Sequence, residues 1–326
     1  MLDIITFGDA TLDVFLQLNE EDADVKCAMK EQACQLCFDY ADKIPVESIV
    51  KVPGSGNASN NAVGSARLGM KAAIVSILGK DDIGETICGH WKEEGLSTKY
   101  VRFDRKRGTN YSTVINYRGE RTILVFHEKR DYVFPKDLPQ ATWVYYTSLG
   151  KGSQVMHKSL LAYVKKNGTK FCFQPGTFQL KLGPAELQPL IAVSYITVMN
   201  KEEAQRIVGD ETKSIVVLLK RLKAMGCAIA VITDGPKGSY TYDGKDFLQL
   251  GIFDVPVIER TGCGDAFATA FVAALHHGET IAEAMRWGTA NSASVISFIG
   301  PQKGLLKKEA MRRMLVRFKD IQPKPL

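Results

Sequence analysis

The chain has 326 residues, 45% hydrophobic and 24% charged, with 42 Lys+Arg against 36 Asp+Glu. This composition excludes wholesale disorder and allows one large domain or two smaller ones, with a core that needs no staples. The net charge of +6 is spread along the chain and no apolar run reaches the ~18 residues that span a bilayer, so neither nucleic acid nor membrane is an expected partner.

Residues 4–7 read as a buried first strand rather than part of a leader, because no basic region precedes them and Gly8-Asp9 interrupts the apolar run. Asp9 and Asp13 follow at the strand's C-terminal edge, where open α/β sheets bind ligands. Asp13 suits sugar hydroxyls as well as it suits a turn. Segments 12–18 and 49–52 flank a charged insertion that holds Cys27, Cys34 and Cys37. Three thiols fall short of a four-ligand zinc site. The seven cysteines have no regular framework, so reduced thiols in a cytosolic protein are expected.

Gly54-Ser55-Gly56-Asn57-Ala58-Ser59-Asn60-Asn61-Ala62 then opens a helical pattern over 58–68. Glycines let a ligand approach the main chain, and the amides of Asn57, Asn60 and Asn61 donate and accept at once, as a polyhydroxylated ligand requires. An N-cap explains one asparagine but not three. Apolar runs at 72–78, 143–147, 170–173, 195–199 and 228–233 alternate with helical patterns at 83–94, 153–166, 201–208 and 214–225. That alternation predicts an α/β fold with a parallel sheet covered on both faces.

A hairpin pattern, 112–117 with 122–126 around Arg118-Gly119-Glu120-Arg121, breaks the rhythm. Together with the early strands it predicts a small lid sheet, at about 12–18, 46–53 and 109–127, inserted in a single domain of 1–326. A functionless surface hairpin is the alternative. Further on, Asn200 and Glu203 share one side of the first turn of the 201–208 pattern. They can form a capping box, or hold Mg²⁺ through its waters.

The richest stretch is Glu259-Arg260-Thr261-Gly262-Cys263-Gly264-Asp265-Ala266-Phe267, after which the chain reads as helical at 266–276, 281–299 and 307–318. Gly262 and Gly264 permit a turn whose N–H groups converge, and the helix dipole adds positive potential there. The result is an anion hole suited to phosphate oxygens. Asp265 either caps the helix or accepts the proton of an attacking hydroxyl. The stretch is neither a Walker P-loop nor a dinucleotide fingerprint.

In this order, over nearly the whole chain, these motifs resemble the ribokinase (PfkB) family of carbohydrate and nucleoside kinases. The likeness rests on the first strand with Asp13, Gly56-Asn57-Ala58-Ser59-Asn60 through Arg67-Leu68-Gly69, and Gly79-Lys80-Asp81-Asp82-Ile83-Gly84. It continues through Gly119-Glu120-Arg121-Thr122, Asn200-x-x-Glu203, Thr233-Asp234-Gly235 with Lys237-Gly238, and Thr261-Gly262-Cys263-Gly264-Asp265. The resemblance implies a ribokinase-like, doubly wound fold with a β-sheet lid, and Mg·ATP-dependent transfer of the γ-phosphoryl to a ligand hydroxyl, usually a CH₂OH. It makes Asp265 the general base and the N–H groups of Gly262, Cys263 and Gly264 the charge stabilisers. It gives Asp13, Gly56, Asn57 and Asn60 to the acceptor. ATP falls to Asn200, Thr233, Gly235, Gly238 and Asn291, the last near the purine, and water-mediated Mg²⁺ to Asn200 and Glu203.

Three departures qualify the resemblance. Glu259-Arg260 stands where the family usually has Asp-Thr, which leaves dependence on a monovalent cation such as K⁺ open. Cys263 replaces the usual Ala, and a thiol acidified by the anion hole is expected to be sensitive to alkylation. Phe173-Gln174-Pro175-Gly176 stands where many relatives carry Asp-Pro-Asn, so no ligand is carried over from there. The leading expectation is a cytoplasmic kinase of a free or monophosphorylated sugar, homodimeric through exposed lid edges. Lys51, Arg105, Lys106, Arg107 and Arg121 are available for an acceptor's phosphate, or are solvated surface charges. A nucleoside kinase would need a stacking aromatic such as Phe15, Tyr111 or Phe126. A non-catalytic nucleotide- or sugar-binding protein would be marked by loss of Asp265, Gly262 or Gly264, and all three are present.

Overall fold

Apolar runs rich in β-branched and aromatic residues form strands buried on both faces, as a parallel sheet sandwiched by helices demands. The computed structural model describes residues 1–28, 33–118, 120–212 and 214–326. The first part contains β1 (Leu2–Phe7), β2 (Thr11–Leu18), β3 (Asp24–Ala28), β4 (Ala33–Cys37), β5 (Val46–Ser55), α1 (Asn57–Arg67), β6 (Ala72–Gly79) and α2 (Asp82–Glu93). Next come β7 (Val101–Asp104), β8 (Asn110–Tyr117), β9 (Glu120–Phe126), β10 (Ala141–Tyr146), α3 (His157–Asn167), β11 (Lys170–Phe173), α4 (Thr177–Leu180) and α5 (Pro184–Val193). They are followed by β12 (Ile196–Asn200), α6 (Lys201–Val208), α7 (Ile215–Ala224), β13 (Ile229–Thr233), β14 (Ser239–Tyr242) and β15 (Phe247–Leu250). The last part holds α8 (Cys263–His276), α9 (Ile281–Val295), α10 (Lys308–Arg317) and β16 (Lys324–Pro325).

The main sheet runs β16-β15-β14-β13-β12-β11-β10-β1-β6-β7. It is parallel from β13 to β7, with β14, β15 and β16 added antiparallel at one edge. Alternate strand residues feed two cores. Ile4, Trp143 and Val198 join α1, α2, α8 and α9 on one face, while Ile5, Val144 and Ile232 join α3, α5, α6 and α7 on the other. Each fully buried large side chain contributes about 1.5–3 kcal/mol. Helix α8 lies deep in the fold: small residues (Ala266, Ala268, Ala270, Ala273, Ala274) let it be packed on nearly every side. At Gly64 of α1 an added Cβ would stand 2.7 Å from Thr269 Cγ2 of α8. The glycine therefore lets the two helices approach closely.

A second sheet, β5-β2-β8-β9, is the expected lid, formed from the insertions that did not fit the alternating pattern. Gly119 of the hairpin motif lies outside the described residues. Several details differ from expectation. Cys27 and Cys34 face each other across the β3–β4 hairpin as a disulfide, so the thiols are not all reduced. The pattern read at 281–299 ends as helix at Val295, because Gly300 (φ +86°) and Pro301 turn the chain back. The hairpin of β14 and β15 was signalled by Asp243-Gly244 between alternating residues but was not anticipated. Among the described residues no helix is long and apolar enough to cross a membrane.

Candidate active site

The C-terminal edges of β1, β12 and β13 open onto a cavity of about 460 Å³, with the N-terminus of α8 on one wall and β9 of the lid on another. A second cavity of about 230 Å³ adjoins it, and Thr233, Arg260, Cys263 and Gly264 line both. This is the topological position where open α/β sheets bind ligands.

Gly262 caps α8 at φ +78°, and a Cβ there would lie 2.3 Å from Pro301 Cβ. No side-chain-bearing residue fits without displacing that turn. The first intrahelical bond comes from Ala266 N to Gly262 O, which leaves the preceding N–H groups without a helical partner, at residues that line the cavity. Asp265 lies in this first turn and is 7% exposed. Asn60 Nδ2 donates to its Oδ2 at 2.8 Å, and Gln174 Nε2 donates to its Oδ1 at 3.2 Å. Burial pushes the carboxyl up to about 6, against the lowering effect of hydrogen bonds from Asn60, Gln174 and Asn57. A carboxylate so placed can hold a proton from an alcohol near neutral pH.

The expected acceptor residues Asp13, Gly56, Asn57 and Asn60 all line the larger cavity. Gly56 (φ +107°) lets the chain pass close to β1, since a Cβ would stand 2.7 Å from Asp9 O. Desolvation raises Asp13 above the usual carboxylate range, while hydroxyls of Ser55, Ser112 and Thr11 pull it back. Asp9 is buried beside it. Tyr132 Oη donates to Asp9 Oδ2 at 2.5 Å and Gly150 N donates to the same oxygen at 2.8 Å. Asn61, the third amide of the motif, faces α8 and donates to Thr269 Oγ1 at 3.1 Å, so it joins two helices rather than lining the cavity.

Asn200 and Glu203 also line the larger cavity, and they form the capping box: Glu203 N donates to Asn200 Oδ1 and Asn200 N donates to Glu203 Oε2, each at 2.8 Å. The amide oxygen of Asn200 and one carboxylate oxygen of Glu203 are thus occupied by backbone. Among the described residues no cluster of three His, Cys, Asp or Glu forms an inner-sphere metal cage. This donor set fits a hydrated Mg²⁺, which keeps its waters and takes few protein ligands. Thr233, Gly235 and Gly238 line the smaller, more apolar cavity. At Gly238 an added Cβ would come within 2.0 Å of Leu250 O.

Asn291 is not brought to either cavity. It is fully buried; its Nδ2 donates to Ala266 O at 2.8 Å and its Oδ1 accepts from Leu306 N at 2.9 Å, so both ends of the amide are occupied within the core. The expected acidification of Cys263 is also overturned: burial pushes the thiol up, and the Arg121 charge only partly offsets it. Gln174, set aside in the sequence reading, stands beside Asp265. His127 was likewise missed and lines the larger cavity, its ring packed edge-on against Phe178. Glu259, 4% exposed, accepts hydrogen bonds from Thr261 N at 2.6 Å and from Arg121 Nη1 of the lid at 3.2 Å. Arg260 in turn reaches Glu120 of β9 at 3.2 Å. The loop before α8 and the lid strand therefore exchange one ion pair in each direction. Of the five basic residues considered for an acceptor's phosphate, Arg121 lines the cavity and the other four do not.

The family described as pfkB family carbohydrate kinase matches residues 26–308. A 5-dehydro-2-deoxygluconokinase from Shouchella clausii is 28% identical over 262 residues, covering 74% of this chain and 80% of its own. An ATP-dependent 6-phosphofructokinase from Thermoanaerobacterium thermosaccharolyticum is 26% identical over 315 residues, covering 91% and 92%. The structure of Arabidopsis thaliana ribokinase, complexed with ribose and ATP, superposes with a TM-score of 0.77 at 19% identity, covering 96% of this chain and 98% of that one. The fold is ribokinase-like.

Proposed function

The chain belongs to the pfkB family of carbohydrate kinases, and from that premise we propose that it transfers the γ-phosphoryl of Mg·ATP to a hydroxymethyl group of a sugar or sugar derivative. The observation that carries this reading is the placement of Asp265, a buried carboxylate with a raised pKa, in the larger cavity at the N-terminus of α8, next to Cys263 and Gly264, which line both cavities. ATP lies along Thr233, Gly235 and Gly238 in the smaller cavity, its terminal phosphate directed at the N–H groups of Gly262, Cys263 and Gly264. The acceptor lies against Asp13, Gly56, Asn57 and Asn60. Asp265 takes the proton of the acceptor hydroxyl as its oxygen meets phosphorus. The N–H groups stabilise charge on the transferring oxygens, which is the main demand of phosphoryl transfer. Mg²⁺, held by Asn200 and Glu203 through water, would supply charge neutralisation along the phosphates.

A sugar is favoured over a nucleoside because, among the described residues lining the acceptor cavity, none is Phe, Tyr or Trp; Phe15, Tyr111 and Phe126 do not reach it. The lid's free edge supports a homodimer, since β9 is exposed throughout and carries Ile123, Leu124, Val125 and Phe126. ADP release from Mg·ATP is the test, measured with ribose, fructose, fructose 6-phosphate, 2-keto-3-deoxygluconate, adenosine, inosine and cytidine. Turnover with at least one of the sugars and none of the nucleosides is expected. Turnover confined to nucleosides, or none above the ATP-only background, would reject the reading.

A further inference from the structure

Beyond the cavity, the turn after α9 carries Gln302, a buried amide that the proposed chemistry does not use. Its Nε2 donates to Gly54 O at 2.7 Å and to Asn60 Oδ1 at 3.1 Å. Its Oε1 faces His90 Nε2 of α2 at 2.8 Å. The orientation of an amide is an assignment unless a neighbour fixes it, and here one does: a backbone carbonyl can only accept. Gly54 O therefore requires the NH₂ end of Gln302. That end, facing Asn60 as well, requires the oxygen of Asn60, which in turn directs the Asn60 NH₂ at Asp265 Oδ2, 2.8 Å away. The polarity runs His90 to Gln302 to Asn60 to Asp265, with each member donating to the next.

The turn itself is rigidly placed. Arg67 Nη1 of α1 donates to Gln302 O at 2.6 Å and to Leu305 O at 3.2 Å, while Arg67 also pairs with Glu94, the C-cap of α2. A parallel arrangement serves the other carboxylate oxygen: Tyr145 Oη donates to Gln174 Oε1, and Gln174 Nε2 donates to Asp265 Oδ1. Asn60 and Gln174 are thus each held in their donating orientation by a partner behind them.

We propose that Gln302 is a positioning residue for Asp265, acting through Asn60, and that His90 completes this chain at the protein surface. Were Asn60 to rotate, its oxygen would face the carboxylate, an arrangement compatible only with the protonated acid. Gln302 opposes that rotation and so keeps Asp265 ionised and aimed. The titratable groups facing Asp265 are Tyr145 from β10, Glu203 from α6 and Cys263 on α8 itself, while Glu94 faces His90. None of them is altered by changes at position 302.

The inference rests on Asp265 being the base, so its test includes a readout that does not depend on activity. The carboxyl carbon of Asp265, assigned by its absence from the Asp265→Asn spectrum, is titrated by ¹³C NMR in the wild type and in Gln302→Met. The expected result is a midpoint that moves up by roughly half a unit to one unit in the variant, as loss of a charge-assisted hydrogen bond would give. The acid limb of kcat/KM should move with it, and Mg·ATP binding should be unchanged. A wild-type midpoint in folded Gln302→Met would overturn the inference even if Asp265→Asn is inactive. A shifted midpoint with an active Asp265→Asn would instead uphold the chain and reject Asp265 as base. Should Gln302→Met not fold, His90→Phe, which keeps ring volume at a half-buried site, should give a smaller upward shift, and no shift there would equally overturn it.

Discussion

The α8 N-terminus and strand β9 form two walls of one cavity, yet they are held in opposite ways. Ten of the fourteen residues of α8 are buried, and Asp265 is fixed through both oxygens to α1 and to the end of β11. All seven residues of β9 are exposed, and its ties to the loop before α8 are the Arg121–Glu259 and Arg260–Glu120 ion pairs. Groups that stabilise a transition state gain from being fixed before reaction, because no reorganisation is then needed. A cover that must admit substrate needs contacts that break easily, and partly exposed ion pairs contribute only about 0–1 kcal/mol.

Breaking the buried wall should have the largest effect. Asp265→Asn keeps the shape but removes the proton acceptor and sets one NH₂ against an amide that donates to this position, so kcat should fall by about 10²- to 10⁴-fold. Calorimetry should find Mg·ATP affinity changed little, because the nucleotide lies in the adjoining cavity. Turnover within a few-fold of wild type would remove Asp265 from the mechanism. The wild type should carry the same signature in its pH dependence. Burial raises the folded pKa to about 6, and the base works ionised, so kcat/KM should be level above that value and fall about tenfold per unit below it. An acid limb near 4, the range of an ordinary exposed carboxylate, would contradict the burial that defines this wall.

The exposed wall should respond in milder ways. Leu124→Lys places a charge on the exposed apolar edge of β9, and sedimentation should show a dimer shifted toward monomer at micromolar concentration. A wild type that sediments as monomer would sink the lid-dimer proposal at once. Arg121→Ala removes one of the two cross-ties, and with it a cation at the cavity. Because the pair is half-open to water on the arginine side, the loss should amount to about fivefold or less in kcat/KM, carried mainly by KM for the acceptor. A drop as large as that of Asp265→Asn would mean that the lid arginine belongs with the fixed groups.

The two walls also differed in how far the sequence disclosed them. Alternating apolar strands and amphipathic helices announced the doubly wound body, and Thr261-Gly262-Cys263-Gly264-Asp265 announced the α8 turn, because glycine placement and a helix start are local properties. Gln174, His127 and Gln302 were not legible, since nothing in their own neighbourhoods distinguishes them. Their roles exist only where β11, the segment after β9 and the turn after α9 converge. Asn291 fails for the converse reason: a helix face cannot reveal that Ala266 O and Leu306 N occupy both ends of its amide. Cys263 was misjudged because an anion hole lowers a thiol's pKa only where solvent or charge outweighs burial, and here burial is the larger effect.

The smallest predicted effect concerns Glu259. A carboxylate buried to this degree must be compensated by charge or by hydrogen bonds. It receives both from this chain: the guanidinium of Arg121 at 3.2 Å, Thr261 N at 2.6 Å and Gly300 N at 3.4 Å. In a chain where an acid at this position lacked such partners, a monovalent cation would have work to do there. Here a guanidinium already meets the need. Replacing K⁺ by Na⁺ or choline at constant ionic strength should therefore change kcat/KM by less than about twofold, the scale of general salt effects on exposed charges. Arg121→Ala sharpens the point, because removing the guanidinium leaves Glu259 short of a cation and should introduce a K⁺ stimulation that the wild type lacks. Strong K⁺ activation of the wild type would show that the Arg121–Glu259 tie does not neutralise the buried acid in the working enzyme.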